Sequence, residues 1–145
     1  MAEIRLEIVT AERVVYSEQI DILVAPGVDG ELGILPSHAP LLTMLKPGEI
    51  RVVKDGDETF MSVSGGFLEV IGEKITILAD TAEHADEIDA ERAEAALNRA
   101  QERVEAAASD MDLERALASM RRSQARLTVS RHRRRDRPMR TDRQE

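Results

Sequence analysis

The sequence predicts an α+β protein in which an N-terminal antiparallel β-sandwich or barrel precedes a C-terminal antiparallel hairpin of two helices. Over about the first 80 residues, apolar and β-branched side chains alternate with polar ones, a pattern typical of half-buried strands. All eight glycines and four of the five prolines lie between Ala25 and Gly72, where a sheet needs its turns. From Glu73 to Arg137 neither residue type occurs and alanine is abundant, which favours helices.

Alternating segments separated by turn dipeptides predict the strands. These segments lie at residues 4–8, 20–24, 50–53, 60–63, 67–71 and 75–78. Asp55-Gly56 stands between two of them, and this dipeptide is typical of a two-residue hairpin turn. A spacing of roughly 8–12 residues between segments favours a sandwich or barrel over a flat sheet.

Two helices are predicted after residue 85. Asp89 is the N-cap of the first, which runs to about Ala107, and Ser109 and Asp110 offer a cap for the second. The predicted apolar faces are Ala93, Ala96, Leu97, Ala100, Val104 and Ala107 in the first helix, and Leu113, Leu117, Met120 and Leu127 in the second. These faces hold few large side chains, so the hairpin needs the sandwich, a ligand or a partner to be stable.

Composition and charge divide the chain into three parts. We expect the sandwich at residues 1–85, the helical hairpin as a regulatory arm at 86–130, and a basic, disordered tail at 131–145. Residues 1–85 carry 15 acidic and 6 basic side chains and residues 86–114 carry 10 and 3, whereas residues 115–145 carry 3 and 11. An acidic body with a basic end favours an acidic partner for that end.

The sequence also lacks the marks of several protein classes. It has no cysteine, which excludes disulfides, cysteine-ligated zinc and a thiol nucleophile. It contains no membrane-spanning apolar run and no recognisable secretory signal, so we expect a protein that stays in the cytosol. Phosphate-loop, dinucleotide, metalloprotease and hydrolase motifs do not occur, and His38, His84 and His132 are far apart. We therefore expect neither catalysis nor a bound metal.

Three segments resemble signatures of one family and follow one another in the family's order. Gly30-Glu31-Leu32-Gly33-Ile34-Leu35-Pro36-Ser37-His38-Ala39-Pro40-Leu41 resembles the loop signature of the epsilon subunit of the bacterial F-type ATP synthase. Residues 63–70 (VSGGFLEV) and 75–80 (ITILAD) match the second and third signatures. The resemblance extends through both predicted helices to about Ser130.

This resemblance implies a non-catalytic rotor subunit in the central stalk of a proton-driven ATP synthase. The sandwich would bind the gamma subunit and rest on the ring of c subunits, peripherally at the cytoplasmic face of the bacterial cell membrane. The loop from Glu31 to His38 would face the ring, and these two side chains would make the contacts. The hairpin would either fold down beside the sandwich or extend along the stalk and block ATP hydrolysis.

A further motif concerns nucleotide binding. The segment 88–93 (IDAERA) resembles the I-D-x-x-R-A element of epsilon subunits that bind ATP. The resemblance implies an ATP site formed by Glu83, Ile88, Asp89, Arg92, Ala93, Arg122 and Arg126. Antiparallel helices would bring Arg126 opposite Arg92, near a helix N-terminus that favours an anion. Guanidinium groups would bind the phosphates and Asp89 the adenine amino group, with no Mg²⁺ or other cofactor required.

The arginines of the second helix would have another partner when the hairpin is extended. By resemblance, an acidic segment of the catalytic beta subunit, beside alpha, would meet Arg115, Arg121, Arg122 and Arg126. Arg122 and Arg126 have no acidic residue three or four positions away in their own helix. The same charges would therefore serve ATP in one arrangement and the catalytic subunits in the other.

Two other functions fit parts of the sequence. A free-standing ATP-sensing module would need the hairpin but not the ring and gamma signatures. Nucleic-acid binding through the arginines at 131–135 is disfavoured, because the body is acidic and Phe60 and Phe67 are expected in strand cores instead of on a stacking platform. We expect no nucleic-acid partner, and a membrane contact of the tail only through anionic lipid.

Overall fold

The computed structural model describes residues 2–135, and side chains up to residue 132. The described residues form ten strands, a short 3-10 turn at Ala85–Glu87 and two α-helices. The strands are β1 Ile4–Val9, β2 Val14–Ile20, β3 Ile22–Gly27, β4 Gly30–Ile34, β5 Leu41–Leu45, β6 Gly48–Lys54, β7 Asp57–Val63, β8 Gly66–Ile71, β9 Lys74–Ala79 and β10 Ala82–His84. The helices are α1 Ala90–Glu105 and α2 Asp110–Arg135. The predicted α+β class is confirmed.

The strands form one continuous sheet, in the order β10-β7-β6-β3-β5-β8-β9-β1-β2, with β4 paired to β3. Every neighbouring pair is antiparallel except β1 and β9, which run parallel. This pair departs from the fully antiparallel prediction. A parallel pair needs a long connection, and here most of the sandwich lies between the two strands in sequence.

The predicted alternation places the correct residues inside on most strands, but not on β3. There Leu23 and Ala25 are buried, whereas Ile22 and Val24, which the sequence pattern placed on the apolar face, are only half-buried. The chain bends at Asp21, so the inward face shifts by one residue.

Two turns show why glycine is needed at particular positions. Asp55 and Gly56 both have positive φ angles, of 51° and 81°, and join paired residues Lys54 and Asp57 in a two-residue hairpin, as predicted. Gly66 has a φ of 140°, and a Cβ atom there would collide with the carbonyl oxygen of Leu78. The Gly-Gly pair therefore lets β8 and β9 approach closely where β8 begins.

The main core lies between the two layers of the folded sheet and belongs entirely to the sandwich. Its fully buried members include Ile4, Leu6, Ile8, Ile20, Leu23, Ile34, Ile50, Met61, Leu68, Val70, Ile75 and Ile77. The last residue of this cluster in sequence is Ala82, which precedes both helices. The helical hairpin, called the arm below, contributes no described residue to this core.

The arm packs on the outer side of β6 and β7 through a small second cluster. Phe60 of β7 meets Ile88, Ala93 of α1 and Val129 of α2, and all four are buried. Among the residues that the structure describes, Phe60 is the only member of the cluster that the sandwich strands supply. A cluster this small makes the docked arm much less stable than the sandwich.

Asp89 caps α1 as predicted, because its Oδ1 atom accepts hydrogen bonds from the backbone N–H groups of Glu91 and Arg92, at 3.1 and 3.2 Å. The helix ends at Glu105, two residues before the predicted end. The Ser109 side chain accepts from the N–H of Asp112 at 3.2 Å, so the predicted second cap is also present.

Helix α2 continues through Arg135, so it includes the first five residues of the predicted basic tail at 131–145. The His132 ring stacks on Phe60, with centroids 3.7 Å apart and planes 5° from parallel, and its Nε2 lies 2.7 Å from Glu49 Oε2. These contacts give the last helical turn a docking site on the sandwich. Residues 136–145 of the predicted tail lie outside the described residues.

The buried face of α2 also differs from the prediction. Its buried side chains are mostly small: Ala116, Ser123, Ala125, Val129 and Ser130. The predicted Leu113, Leu117, Met120 and Leu127 are only half-buried. Small side chains at the contact let α2 lie close to α1 and to the sheet at once, while the larger ones flank it.

Candidate functional site

A cleft of about 300 Å³ lies between α2 and the strands β7 and β10. The sandwich contributes Ser62, Val63, Ser64, Thr81 and Glu83, and the helix contributes Ser119, Arg122, Ser123 and Arg126. Because β10 pairs with β7, Glu83 stands directly opposite Ser62 on the side of the sheet that the arm covers. The cleft thus depends on the docked arm for one of its walls.

Arg126 and Glu83 form a bidentate ion pair across this cleft. Arg126 Nε donates to Glu83 Oε1 at 2.7 Å, and Arg126 Nη2 donates to Glu83 Oε2 at 3.2 Å. Both side chains are about two-thirds buried, so the pair is partly shielded from solvent. Arg122 is exposed at the same cleft and forms no ion pair with any residue that the structure describes. Three of the predicted ATP-binding residues are therefore adjacent.

The other four predicted ATP-binding residues do not line this cleft. Ile88 and Ala93 are buried in the second cluster, and the Asp89 carboxylate is engaged in capping α1. Arg92 is exposed to solvent. The cleft therefore contains two of the three guanidinium groups predicted to converge, those of Arg122 and Arg126, and Arg92 does not line it.

The root of the arm is tied to the β1–β2 hairpin. Arg13 Nη2 lies 2.8 Å from Glu87 Oε2, and the hydrogen bond from Arg13 lowers the pKa of the Glu87 carboxyl below its ordinary value. The ring nitrogen Nε2 of His84 lies 3.0 Å from the carbonyl oxygen of Val15. These contacts fix β10, and with it Glu83, against the sandwich.

The arginines of the predicted inhibitory contact lie on more than one side of α2. Arg115 and Arg122 line a second cleft of about 590 Å³, which adjoins the first at Ser119 and also contains Arg103 and Asp112. Arg121 instead lines a groove on the side of α2 that faces Lys46 and Glu49. Of these four arginines, only Arg126 forms an ion pair with a carboxylate of the described chain.

The predicted ring-facing segment is not one loop. Glu31 lies near the start of strand β4 and is exposed, whereas His38 lies in the loop at residues 35–40 that follows the strand. The His38 Nδ1 atom is 2.7 Å from the carbonyl oxygen of Ala39. The predicted segment therefore combines part of a strand with the loop that follows it.

An apolar row that the sequence did not predict crosses the outer face of the sheet. The pairing register aligns one residue from each of five neighbouring strands: Met44, Phe67, Leu78, Val9 and Val14. Met44, Phe67, Leu78 and Val14 are each at least half exposed. The expectation that Phe67 lies in a strand core is wrong, and contiguous exposed apolar surface of this kind is typical of protein interfaces.

Neither described helix is long and apolar enough to cross a membrane. Within the part of the chain that has coordinates, no group of three or more histidine, aspartate or glutamate side chains is arranged to hold a metal ion.

Two family models match consecutive segments of this chain. Residues 3–85 match the β-sandwich domain of the ATP synthase delta/epsilon chain, and residues 86–131 match the long α-helix domain of the same chain. Together they cover both the sandwich and the arm.

Curated relatives match over most of their own length. The ATP synthase epsilon chain of Herpetosiphon aurantiacus is 53% identical over 131 residues, which is 90% of this chain and 96% of the relative. That of Brevibacillus brevis is 53% identical over 132 residues, 90% of this chain and 100% of the relative. That of Desulforamulus reducens is 58% identical over 107 residues, covering 74% and 81%.

A solved structure shares the fold at lower sequence identity. A chain in the cryo-EM structure of the Euglena gracilis mitochondrial ATP synthase, OSCP/F1/c-ring, superposes with a TM-score of 0.79 at 22% identity. The match covers 91% of this chain and 83% of that one.

Proposed function

Because the chain belongs to the ATP synthase delta/epsilon family, we propose that its sandwich joins the gamma subunit to the c-ring. We also propose that its arm inhibits ATP hydrolysis when it is undocked, and that ATP binding stabilises the docked, non-inhibitory position. As an epsilon subunit it is a non-catalytic component of the central stalk. The proposal places it peripherally at the cytoplasmic face of a bacterial membrane, in an enzyme driven by protons.

The apolar row supports docking on gamma. Its five members span five adjacent strands, and an exposed surface of this width is costly unless a partner covers it. A free-standing ATP sensor would have no use for such a surface, which favours the stalk subunit over that alternative. Co-purification of the chain with gamma separates the two.

Glu31 and His38 remain the proposed contacts with the c-ring. Glu31 is exposed and His38 is half-buried, and Leu35, which lies between them in sequence, is 55% exposed. Because Glu31 belongs to β4 and His38 to the next loop, the ring would have to meet both the strand and the loop.

The proposal that the arm moves rests on the way it is docked. The second cluster is small, and the contact face of α2 consists mostly of small residues. Undocking therefore exposes little apolar surface and leaves the main core intact. An undocked α2 would present Arg115, Arg121, Arg122 and Arg126 to the catalytic beta and alpha subunits.

ATP is the proposed ligand of the docked arm. Arg122 and Arg126 lie at one cleft with Glu83, and guanidinium groups are suited to phosphate oxygens. Contact of adenine with the Ile88–Asp89 segment is also proposed; in the docked arm Ile88 is buried in the second cluster and the Asp89 carboxylate caps α1. A ligand that binds only the docked arm shifts the population toward the non-inhibitory state.

Replacing Arg126 by alanine is expected to weaken ATP binding by about 1.5–3 kcal/mol, the usual value of a hydrogen bond to a charged group. Calorimetric titration of the isolated chain with ATP measures this. Arg121→Ala is the matched control, because Arg121 lies on the same helix but lines a different groove. Equal affinities of the Arg126→Ala variant and the wild type would place the nucleotide elsewhere.

Replacing Arg115 and Arg121 by glutamine is expected to reduce inhibition of hydrolysis in the assembled enzyme. Neither side chain forms an ion pair within the described chain, so the change acts on the undocked arm and not on its docking. Each exposed ion pair contributes about 0–1 kcal/mol to the inhibitory contact. Raising the salt concentration from 0.1 M to 1 M shortens the Debye length from about 10 Å to about 3 Å, so it should weaken inhibition by the wild-type chain in the same direction. Undiminished inhibition in both tests would indicate steric blocking by the helix.

A further inference from the structure

We propose that the last part of α2 is a latch, in which His132 keeps the arm docked without nucleotide by binding Glu49 and Phe60 of the sandwich. The latch is a conformational device separate from the proposed ATP site, and it does not need that site to act. The matched model of the helical domain ends at residue 131, one residue before His132. The latch is therefore not among the features that place the chain in its family.

The first support is the position of the two carboxylates that α2 meets. Ser62 of β7 is paired with Glu49 of β6 on one side and with Glu83 of β10 on the other, so both glutamates lie on the side of the sheet that the arm covers. Arg126 of α2 binds Glu83. His132, farther along the same helix, binds Glu49. The helix is thus attached on both its β10 side and its β6 side, and His132 supplies the second attachment.

The second support is the geometry of the His132 ring. Its Nε2 atom lies 2.7 Å from Glu49 Oε2, and because an ionised carboxylate only accepts, the ring nitrogen donates. The ring also stacks on Phe60, with centroids 3.7 Å apart and planes 5° from parallel. Only 20% of the His132 side chain and 28% of the Glu49 side chain are exposed. One side chain therefore combines a ring stack with a hydrogen bond to a shielded carboxylate.

The third support is that neighbouring charges do not compete for Glu49. Arg51 is paired with Phe60 across the two strands, and its guanidinium group is bound by Glu58 at 3.0 Å. Among the described residues, His132 is the side chain that binds the Glu49 carboxylate. Loss of this contact therefore leaves the carboxylate without its partner.

The latch sets the docked fraction of the arm before any ligand binds. Both of its contacts join the arm to the sandwich, so both are lost when the arm undocks and both oppose undocking. A partner that needs the undocked arm must overcome them, whereas a ligand that needs the docked arm finds it already in place.

The test uses the full chain without nucleotide and with a single introduced cysteine, because the natural sequence has none. In Val129→Cys the thiol replaces a fully buried side chain of the second cluster, so a thiol reagent reaches it only when the arm undocks. Adding His132→Ala or Glu49→Ala is expected to raise the labelling rate about tenfold or more, as for loss of a hydrogen bond to a charged group. Arg131→Ala is the matched control, an exposed residue of the same helical turn, and its rate should stay within about twofold of the Val129→Cys chain.

A second comparison shows whether the two residues act through each other. The chain with both His132→Ala and Glu49→Ala should label about as fast as the chain with His132→Ala alone, because the same contact is lost in both. Labelling rates that multiply instead would show that the residues act separately, which overturns the latch. Because His132 lies outside the main core, faster labelling of its variant reports undocking and not unfolding of the sandwich.

The remaining results are equally decisive. Unchanged labelling in His132→Ala would show that the ring does not hold the arm, and equal acceleration in Arg131→Ala would show that any change in this helical turn releases it. If the Val129→Cys chain labels as fast as it does in urea, the arm is not docked without nucleotide and the latch is wrong. None of these rates depends on ATP or on the catalytic subunits, so this inference and the proposed function can fail separately.

Discussion

A chain that ends at Ala85 is expected to fold cooperatively, to bind gamma and to leave ATP hydrolysis uninhibited. The main core consists only of residues between Ile4 and Ala82, so every one of its members remains. The loss is the second cluster, of which the sandwich strands supply only Phe60. Exposure of one phenylalanine costs about 1.5–3 kcal/mol at most, a minor part of the sandwich's burial.

Urea unfolding of the truncated chain should give a single transition, and the assembled enzyme should hydrolyse ATP as if the subunit were absent while still coupling synthesis to proton flow. The full chain is the comparison in both measurements. A truncated chain that is unfolded would show that the arm completes the sandwich. A folded chain that still inhibits would move the inhibitory contact from the arm to the sandwich.

Phe67→Glu is expected to abolish binding to gamma without lowering the stability of the chain. Phe67 is the aromatic member of the apolar row, paired on one side with Met44 and on the other with Leu78, and its side chain is half exposed. The carboxylate introduced at position 67 would be solvated in the free subunit and buried in the complex with gamma. The free-energy cost of burying that charge therefore weakens binding and does not lower the stability of the free chain. Central aromatic residues of interfaces contribute about 2 kcal/mol or more, which is at least about thirtyfold in affinity.

Met111→Glu is the control for this variant, because Met111 is 63% exposed but lies at the start of α2, away from the row. Binding to immobilised gamma should be lost in Phe67→Glu and kept in Met111→Glu, with the same thermal midpoint for both. Tight binding by Phe67→Glu would mean that gamma contacts another face of the sandwich.

Features that depend on a few neighbouring residues were predictable from the sequence. The Asp55-Gly56 turn and the Asp89 cap were both correct, because φ preference and capping are local properties. The inward face of β3 was not, since a bend at Asp21 shifts it by one residue. The parallel pairing of β1 with β9 joins segments that are far apart in sequence, and no local pattern marks it.

Some residues of the candidate site could likewise be identified from the sequence, and others could not. Resemblance singled out Glu83 and Arg126, and their ion pair joins β10 to α2. Ser62 and Ser123 carry no sequence signal, because single serines are common and only the docking of the arm makes these two neighbours. The sequence did not predict the apolar row, because the row runs across the strands. Alternation along one strand indicates only which of its side chains face the core, not which residues of neighbouring strands are aligned.

The separation of the two clusters has a consequence for inherited variation. Substitutions at Ile88, Ala93 or Val129 alter how firmly the arm is held but leave the main core untouched, so the protein is still made and still assembles. Under the proposed role of the arm, cells carrying them would have normal amounts of the enzyme and an altered balance between synthesis and hydrolysis. The strength of regulation can therefore diverge among related organisms by small steps, without passing through an unstable subunit.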